Sequence, residues 1–295
     1  MLNRVAICGA GGQLGVELLR VFQGAGCQLL RLVRTELDLT NGPLVERTLA
    51  AFDPDLVINA AAYNMVDVAE QEPLAAFQVN ALAVRNLAVA CRQLDARFVH
   101  FSTDYVFDGT KGTPYVEEDP THPLGAYAVS KLAGELYAQA YLDNPLVIRT
   151  SGVFGPAGLR TARGNFVELM LRLAAGGQPI RVVEDHVASP TFAPALAERT
   201  LEMVRAGLTG VYHVGGGVPI SWYEYARLIF FTAGLVPELR ATNEREYRTA
   251  ARRPKFSALS NSKMEKAGIT PMPLIPDTVR MYMAAREAER ASSQR

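Results

Sequence analysis

Net charge is what this chain most plainly lacks. Thirty Lys and Arg residues are balanced by thirty Asp and Glu, so no bulk field argues for nucleic acid or an anionic membrane as partner. Cysteine is scarce. Cys8, Cys27 and Cys91 form an odd, scattered set with no C-x-x-C spacing. That argues against a disulfide scaffold and against a zinc site, and leaves the thiols as small core filler. No segment approaches the ~18 apolar residues of a membrane span. The opening "MLNRVAICGAGG" has no long apolar stretch of the signal-peptide kind and reads as a first strand. Together these absences predict a soluble, cytoplasmic protein. What is present is apolar material: 49% of the residues are hydrophobic, enough for a sizeable core. The 295 residues suit one large domain or a large plus a small one, at ~100–200 residues each.

The first half alternates. Apolar runs "RVAICGA", "CQLLRLVR", "DLVINAAA", "RFVHFST" and "LVIRTSGVFG" read as strands. Between them "GQLGVELLRVFQGAG", "GPLVERTLAAF", "PLAAFQVNALAVRNLAVACRQL" and "GAYAVSKLAGELYAQAYL" read as helices. Strands that are apolar throughout and separated by helices predict a parallel sheet covered on both faces. The expected fold class is α/β, a Rossmann-like doubly wound parallel sheet with a smaller C-terminal substrate lobe, its ligand lying across the carboxyl ends of the strands. The boundary is placed so that residues 1–150 bind a dinucleotide. Residues 151–295 mostly form the substrate lobe, interleaved with the last strands of the main sheet. In that half "GNFVELMLRLAAGG", "PALAERTLEMVRAG" and "SWYEYARLIFFTAG" read as helices, the last capped by Ser221 with Glu224 three residues on. "PIRVVED" and "GVYHVGG" read as strands. "ELRATNEREYRTAARRPKFSALSNSK" reads as irregular, and the tail "ASSQR" as frayed.

"CGAGGQLG" falls between the first strand and the first helix. Gly9, Gly12 and Gly15 give G-x-x-G-x-x-G. Glycines permit a tight turn and close approach of backbone to a pyrophosphate, which the helix N-terminus then receives. Placed at the start of an alternating chain, the motif predicts dinucleotide binding. The second strand ends "LVRTELDLT", where Arg34 stands in place of the acidic residue that meets an unphosphorylated ribose. This favours NADPH, with NADH as the alternative. Otherwise Arg34 is a solvated arginine. Asp38 is a candidate for the adenine edge. The small residues of "NAAAYN" suit passage of a nicotinamide ribose. Asn59 and Asn80 are polar residues inside apolar runs, either facing the cofactor or satisfying buried backbone groups.

"YAVSK" puts Tyr127 and Lys131 on one helix face. A phenol titrates near ~10 in water, and a nearby ammonium lowers that value. Such a pair can protonate a carbonyl oxygen while a hydride reaches its carbon. The preceding strand ends in "FSTDYVFDG", which sets Thr103, Asp104 and Tyr105 at a carboxyl end.

These motifs, with "DLVINAAAYNMVDVAEQEP", "DHVASPTFAPALA" and "RRPKFSALSNSK", resemble the extended branch of the short-chain dehydrogenase/reductase superfamily. Within it they resemble the dTDP-4-dehydrorhamnose reductase family. The resemblance covers nearly the whole chain. It implies reduction of the 4-keto group of a dTDP-6-deoxy-hexulose by NADPH or NADH. Tyr127 is then the proton donor, Lys131 its tuner and ribose ligand, and Thr103 the partner of the keto oxygen. Cofactor contacts are implied at Gly9, Gly12, Gln13, Leu14, Gly15, Arg34, Asp38, Leu39, Ala60, Ala61, Ala62, Tyr63, Asn80, Tyr127 and Lys131. Asn64, Val66, Thr103, Asp104, Tyr105 and Arg253 match positions near the substrate, Arg253 toward its diphosphate. The dTDP-sugar is the implied partner, and a homodimer the expected assembly.

Two departures stand out. The family usually reads "RTSWVYG" after the fifth strand, whereas this chain reads "RTSGVFG". Gly152 thus replaces an aromatic that would orient the sugar, and Arg160 and Arg163 in the longer loop are candidates to compensate at the diphosphate. The resemblance also implies magnesium at a dimer contact, but only Glu17 matches, so no metal is assigned. Related sugar-nucleotide dehydratases resemble "STDEVYG", with an acid where Tyr105 stands here. That disfavours a dehydratase or epimerase. A cofactor-binding regulatory subunit, like the beta subunit of methionine adenosyltransferase, stays open as the non-enzymatic alternative.

Overall fold

The computed structural model describes residues 2–161 and 164–293. Its first half runs β1 (Arg4–Cys8), α1 (Gln13–Gly24), β2 (Gln28–Leu32), α2 (Gly42–Phe52), β3 (Leu56–Asn59), α3 (Val66–Ala69), α4 (Pro73–Phe77), α5 (Ala83–Leu94), β4 (Arg97–Thr103), α6 (Ala126–Tyr141) and β5 (Leu146–Thr150). The second half adds α7 (Phe166–Ala175), β6 (Ile180–Val183), β7 (Val187–Ala188), α8 (Ala193–Arg205), β8 (Gly210–His213), β9 (Ile220–Ser221), α9 (Trp222–Thr232), β10 (Leu239–Thr242), α10 (Ser262–Lys266) and α11 (Ile275–Ser293). Six strands form the main sheet in the order β2-β1-β3-β4-β5-β8. Every pairing in it is parallel. This is the Rossmann-like α/β arrangement that the alternation predicts.

Both sheet faces are covered, which explains the unbroken apolar strands. In β1, Val5 and Ile7 pack with Leu18 and Phe22 of α1 and Leu196 and Met203 of α8. Ala6 and Cys8 point the other way, to Val45 and Leu49 of α2 and Leu87 and Cys91 of α5. Cys8 and Cys91 are therefore core residues, as expected. Local chemistry fixes several ends: Asn41 accepts the Leu44 N–H at the start of α2, Asn165 accepts the Glu168 N–H at α7, and Ser221 accepts the Glu224 N–H at α9. Such caps satisfy otherwise orphaned donors.

The structure corrects several sequence expectations. α4 and α5 are one continuous run, joined by a π-helical turn at Gln78–Leu82. That run, Pro73–Leu94, is long and apolar enough by composition to cross a membrane, contrary to the expectation that no segment comes close. Its composition reflects packing against α2 and α6, since a helix covered on two sides is apolar on two sides. The fifth strand stops at Thr150, and the rest of "RTSGVFG" is loop. The stretch read as irregular contains β10, which pairs in parallel with β6 outside the main sheet. The tail is helical through Ser293. Gln294 and Arg295 lie outside the described residues.

Candidate functional site

A cavity of ≈ 1080 Å³ lies across the carboxyl ends of the strands. Its walls follow sheet order. Arg34 follows β2, the glycine loop follows β1, residues 60–64 follow β3, residues 103–105 end β4, and residues 151–153 follow β5. Adjacent strands lie ~4.8 Å apart, so this row of strand ends can hold an elongated ligand. The order in which strands are added reverses between β1 and β3, the switch point where open α/β sheets place ligands.

The glycine loop is built for backbone contact. Gly9 has φ +76°, and a Cβ there would lie 2.5 Å from Ala61 N. At Gly15 a Cβ would lie 2.2 Å from the Gly9 carbonyl oxygen. Gly12 is the N-cap of α1 and supplies no side-chain cap, so the first N–H groups of the helix are left for an anion. Gln13 and Leu14 of that first turn line the cavity. Gly15 does not; it acts by letting α1 approach β1. Arg34, Asp38 and Leu39 line the far end. Asp38 accepts from the N–H and hydroxyl of Thr40, and these bonds, aided by the nearby Arg34, hold its carboxyl below the usual range. The donor set and the glycine cradle fit a phosphorylated dinucleotide.

Both buried asparagines shape the loop after β3. Asn59 accepts the Ala61 N–H at 3.1 Å. Asn80, in the π turn, brackets Tyr63 by accepting its N–H at 2.8 Å and donating to its carbonyl at 2.9 Å. Asn80 lies outside the cavity lining, so the expected direct cofactor contact is corrected: its side chain is spent on Tyr63 and on the Ser130 hydroxyl. Ala60, Ala61, Ala62, Tyr63, Asn64 and Val66 all line the cavity.

Thr103, Tyr127 and Lys131 meet in this same cavity. Lys131 is buried and donates to the Phe101 carbonyl at 2.6 Å. Burial pulls its ammonium down to about 8, against the pull of Glu135 one turn on. Glu135 is itself held by Arg149 at 2.7 Å, both groups buried. Thr103 donates to Asp104 at 3.2 Å and accepts the Tyr105 N–H. Asp104 is 2% exposed and also accepts from the hydroxyls of Ser151 and Ser257. Burial raises its carboxyl to about 6 despite these donors. The Tyr105 ring meets Tyr127 edge-on at 6.0 Å. Burial pushes the Tyr105 phenol well above its ordinary range.

Arg253 stands beside the cavity and does not line it. It forks onto Asp67 at 3.0 and 2.6 Å and bonds the Tyr105 side chain. It is half-buried, not solvated. Arg160 pairs with Glu289 of α11 at 3.0 Å and is absent from the cavity walls, which corrects its assignment to the diphosphate; Arg163 lies outside the described residues. Glu17 is bonded by Arg20, which also approaches Glu198. Among the described residues one group has metal-type donors close together, Asp185, His186 and Glu244. The Lys255 ammonium lies 3.7 and 3.5 Å from its two carboxylates and already meets their charge. Sequence reasoning missed Trp222, which reaches the cavity from α9.

The chain matches the model of the family described as the RmlD substrate binding domain over residues 3–286. It is 40% identical over 277 residues to a dTDP-4-dehydrorhamnose reductase of Mycobacterium tuberculosis H37Rv, covering 92% of this chain and 89% of that protein. It is 37% identical over 270 residues to the spore coat polysaccharide biosynthesis protein SpsK of Bacillus subtilis, covering 92% and 93%. A dTDP-4-dehydrorhamnose reductase of Bacillus anthracis, solved in complex with NADP, superposes with a TM-score of 0.91 at 32% identity, covering 96% of this chain and 99% of that one.

Proposed function

The chain belongs to the RmlD substrate binding domain family, and from that premise we propose that it is an NADPH-dependent reductase of the 4-keto group of dTDP-4-dehydrorhamnose, giving dTDP-L-rhamnose. The observation that carries the reading is convergence. The glycine loop, Thr103 and the Tyr127–Lys131 pair line one cavity although they lie far apart in sequence. Relatives bearing the reductase name support the substrate, and the NADP-bound neighbour supports the cofactor.

NADPH, when bound, supplies a hydride to the carbonyl carbon. Gly9, Gly12, Gln13 and Leu14 would hold its pyrophosphate, Arg34 its 2′-phosphate, Asp38 and Leu39 its adenine, and residues 60–63 the nicotinamide side. The chain's own work is to place the ketone and deliver a proton. Tyr127 gives its phenolic proton to the keto oxygen as the C=O bond becomes C–OH. Lys131, charged below about pH 8, stabilises the phenolate left behind. Thr103 turns its hydroxyl from Asp104 to the keto oxygen. Asn64, Val66 and Tyr105 bound the sugar. Residues 1–150 serve mainly the cofactor, and the lobe after residue 150 closes over the sugar.

The test is a spectrophotometric assay with the 4-keto sugar nucleotide and either NADPH or NADH. Substrate-dependent loss of the reduced-nicotinamide absorbance, with dTDP-L-rhamnose as product, is expected. No turnover with either cofactor would sink the reading.

A further inference from the structure

Resting on that reductase reading, we propose that Trp222 is the wall against which the 6-deoxyhexulose ring packs, and that Gly152 is the gap that admits it. In the main sheet Thr103 pairs with Thr150, so Gly152 lies just past the strand neighbour of the residue assigned to the keto oxygen. Gly152 has φ +49°. A Cβ there would lie 3.1 Å from Cη2 of Trp222 and 3.5 Å from Cα of Pro190. The six-membered edge of the indole therefore occupies the space a side chain at 152 would enter. The aromatic surface missing at position 152 is supplied by another part of the chain.

The Trp222 side chain is held by its neighbours. The Trp222 backbone N–H donates to the His186 carbonyl at 3.1 Å, beside the short antiparallel pair β7–β9. Phe166 of α7 meets its ring at 4.7 Å and Tyr225 of α9 at 6.1 Å, both tilted by more than fifty degrees. Phe166 and Tyr225 stack on each other at 5.5 Å. With its back covered and its exposed side lining the cavity, the indole offers a fixed apolar surface. Tyr105 and Tyr127 line the same cavity. A 6-deoxy pyranose has an apolar C–H face and a methyl in place of a hydroxymethyl, which suits a surface offering no hydrogen-bond acceptor. Trp222 thus favours the deoxy sugar, while the glycine loop lines another part of the same cavity.

Trp222 is the only tryptophan of the chain, so its emission reports this wall directly. The NADP⁺-loaded protein is titrated with dTDP-L-rhamnose and with dTDP, following emission and, in parallel, heat of binding. dTDP-L-rhamnose is expected to change the emission at saturation, and dTDP to bind with the emission unmoved. Trp222→Ala is expected to raise KM for the keto sugar roughly tenfold, with KM for NADPH within about twofold. Trp222→Phe, which keeps a ring in the aromatic cluster, is expected to recover most of that loss. Equal emission responses to the two nucleotides, or a wild-type KM for the keto sugar in a folded Trp222→Ala protein, would overturn the assignment and leave the reductase reading intact. A dTDP-L-rhamnose titration with neither binding heat nor an emission change, together with no turnover of the keto sugar, would overturn both.

Discussion

Asp104 offers the most quantitative test of the site. It is fully enclosed and accepts hydroxyls from Thr103, Ser151 and Ser257, yet burial raises its pKa from 3.8 to about 6. Desolvation therefore outweighs three donors. The folded-state value lies above the unfolded one, so the protonated carboxyl is the form the fold prefers. That preference contributes fully below about pH 3.8 and is lost as pH rises through about 6. At pH 7.5 the ionised group costs about 3 kcal/mol, since each tenfold change in the proton equilibrium is worth about 1.4 kcal/mol. With 2% exposure there is no solvent screening to discount. Asp104→Asn removes the titration and keeps the shape. Its amide can donate to Thr103 while its oxygen still accepts from the two serines, a change that does not depend on pH. Urea unfolding of both proteins at pH 5.0, 6.0, 6.5 and 7.5 isolates the electrostatic part. Relative to wild type, the variant should gain about 1.4 kcal/mol between pH 5.0 and 7.5, roughly half the total. A flat difference across that range would refute the argument. A difference of opposite sign would mean that the hydroxyls, not desolvation, dominate.

Tyr127→Phe removes the proposed proton donor and should lower kcat by ~10²-fold or more with NADPH binding retained; a variant at full rate would remove Tyr127 from the mechanism. Lys131 has a folded pKa lowered from 10.5 to about 8, so its ammonium is present below that pH, and kcat should fall about tenfold per pH unit above it. A rate flat to pH 9.5 would contradict this. Arg34→Ala should weaken NADPH about tenfold more than NADH by direct binding measurement, the worth of a charge-assisted contact, and equal losses would refute the 2′-phosphate contact. Gly15→Ala drives a methyl to 2.2 Å from the Gly9 carbonyl. It should cost ~1–3 kcal/mol in unfolding measurements and loosen cofactor binding; a variant with unchanged stability would show that the loop gives way.

The parts of the site legible in sequence are those whose chemistry constrains local residues. Gly9 must reach positive φ, Gly12 must leave a helix end open, and Tyr127 and Lys131 need only one helical turn. The parts that are not legible depend on distant contacts. Asn80 reads equally as ligand or strut until Tyr63 is seen between its two polar atoms. Arg253 becomes a strut only when Asp67 is placed beside it. Nothing around "ISWYEYA" marks Trp222 as a cavity residue, because its position follows from the β7–β9 pairing and from empty space at Gly152. In the fold, β10 escapes notice because its "LRAT" is short and half polar on a two-stranded sheet. α11 does carry a signal that the reading passes over: Ile275, Val279 and Tyr282 are buried at helical spacing.

Tyr105 shows why the geometry favours reduction without elimination. Losing water from a sugar next to a ketone needs a group that can hand over a proton at neutral pH. The dehydratase-type pattern "STDEVYG" would set an acid at this position. Here a phenol stands there, and burial with the neighbouring Asp104 pushes it away from any titration near neutrality. Arg253 bonds that phenol, and Asp67 holds Arg253, so the ring is fixed edge-on to Tyr127. The adjacent Asp104 is enclosed among its neighbours, and the hydroxyls of Ser151 and Ser257 stay on its second oxygen even when Thr103 turns to the ketone. With the second acid replaced and the first one occupied, Tyr127 is the proton donor best placed for a bound sugar. One donor completes the addition of a hydride and a proton across C=O, whereas an elimination would need a further acid for the departing hydroxyl.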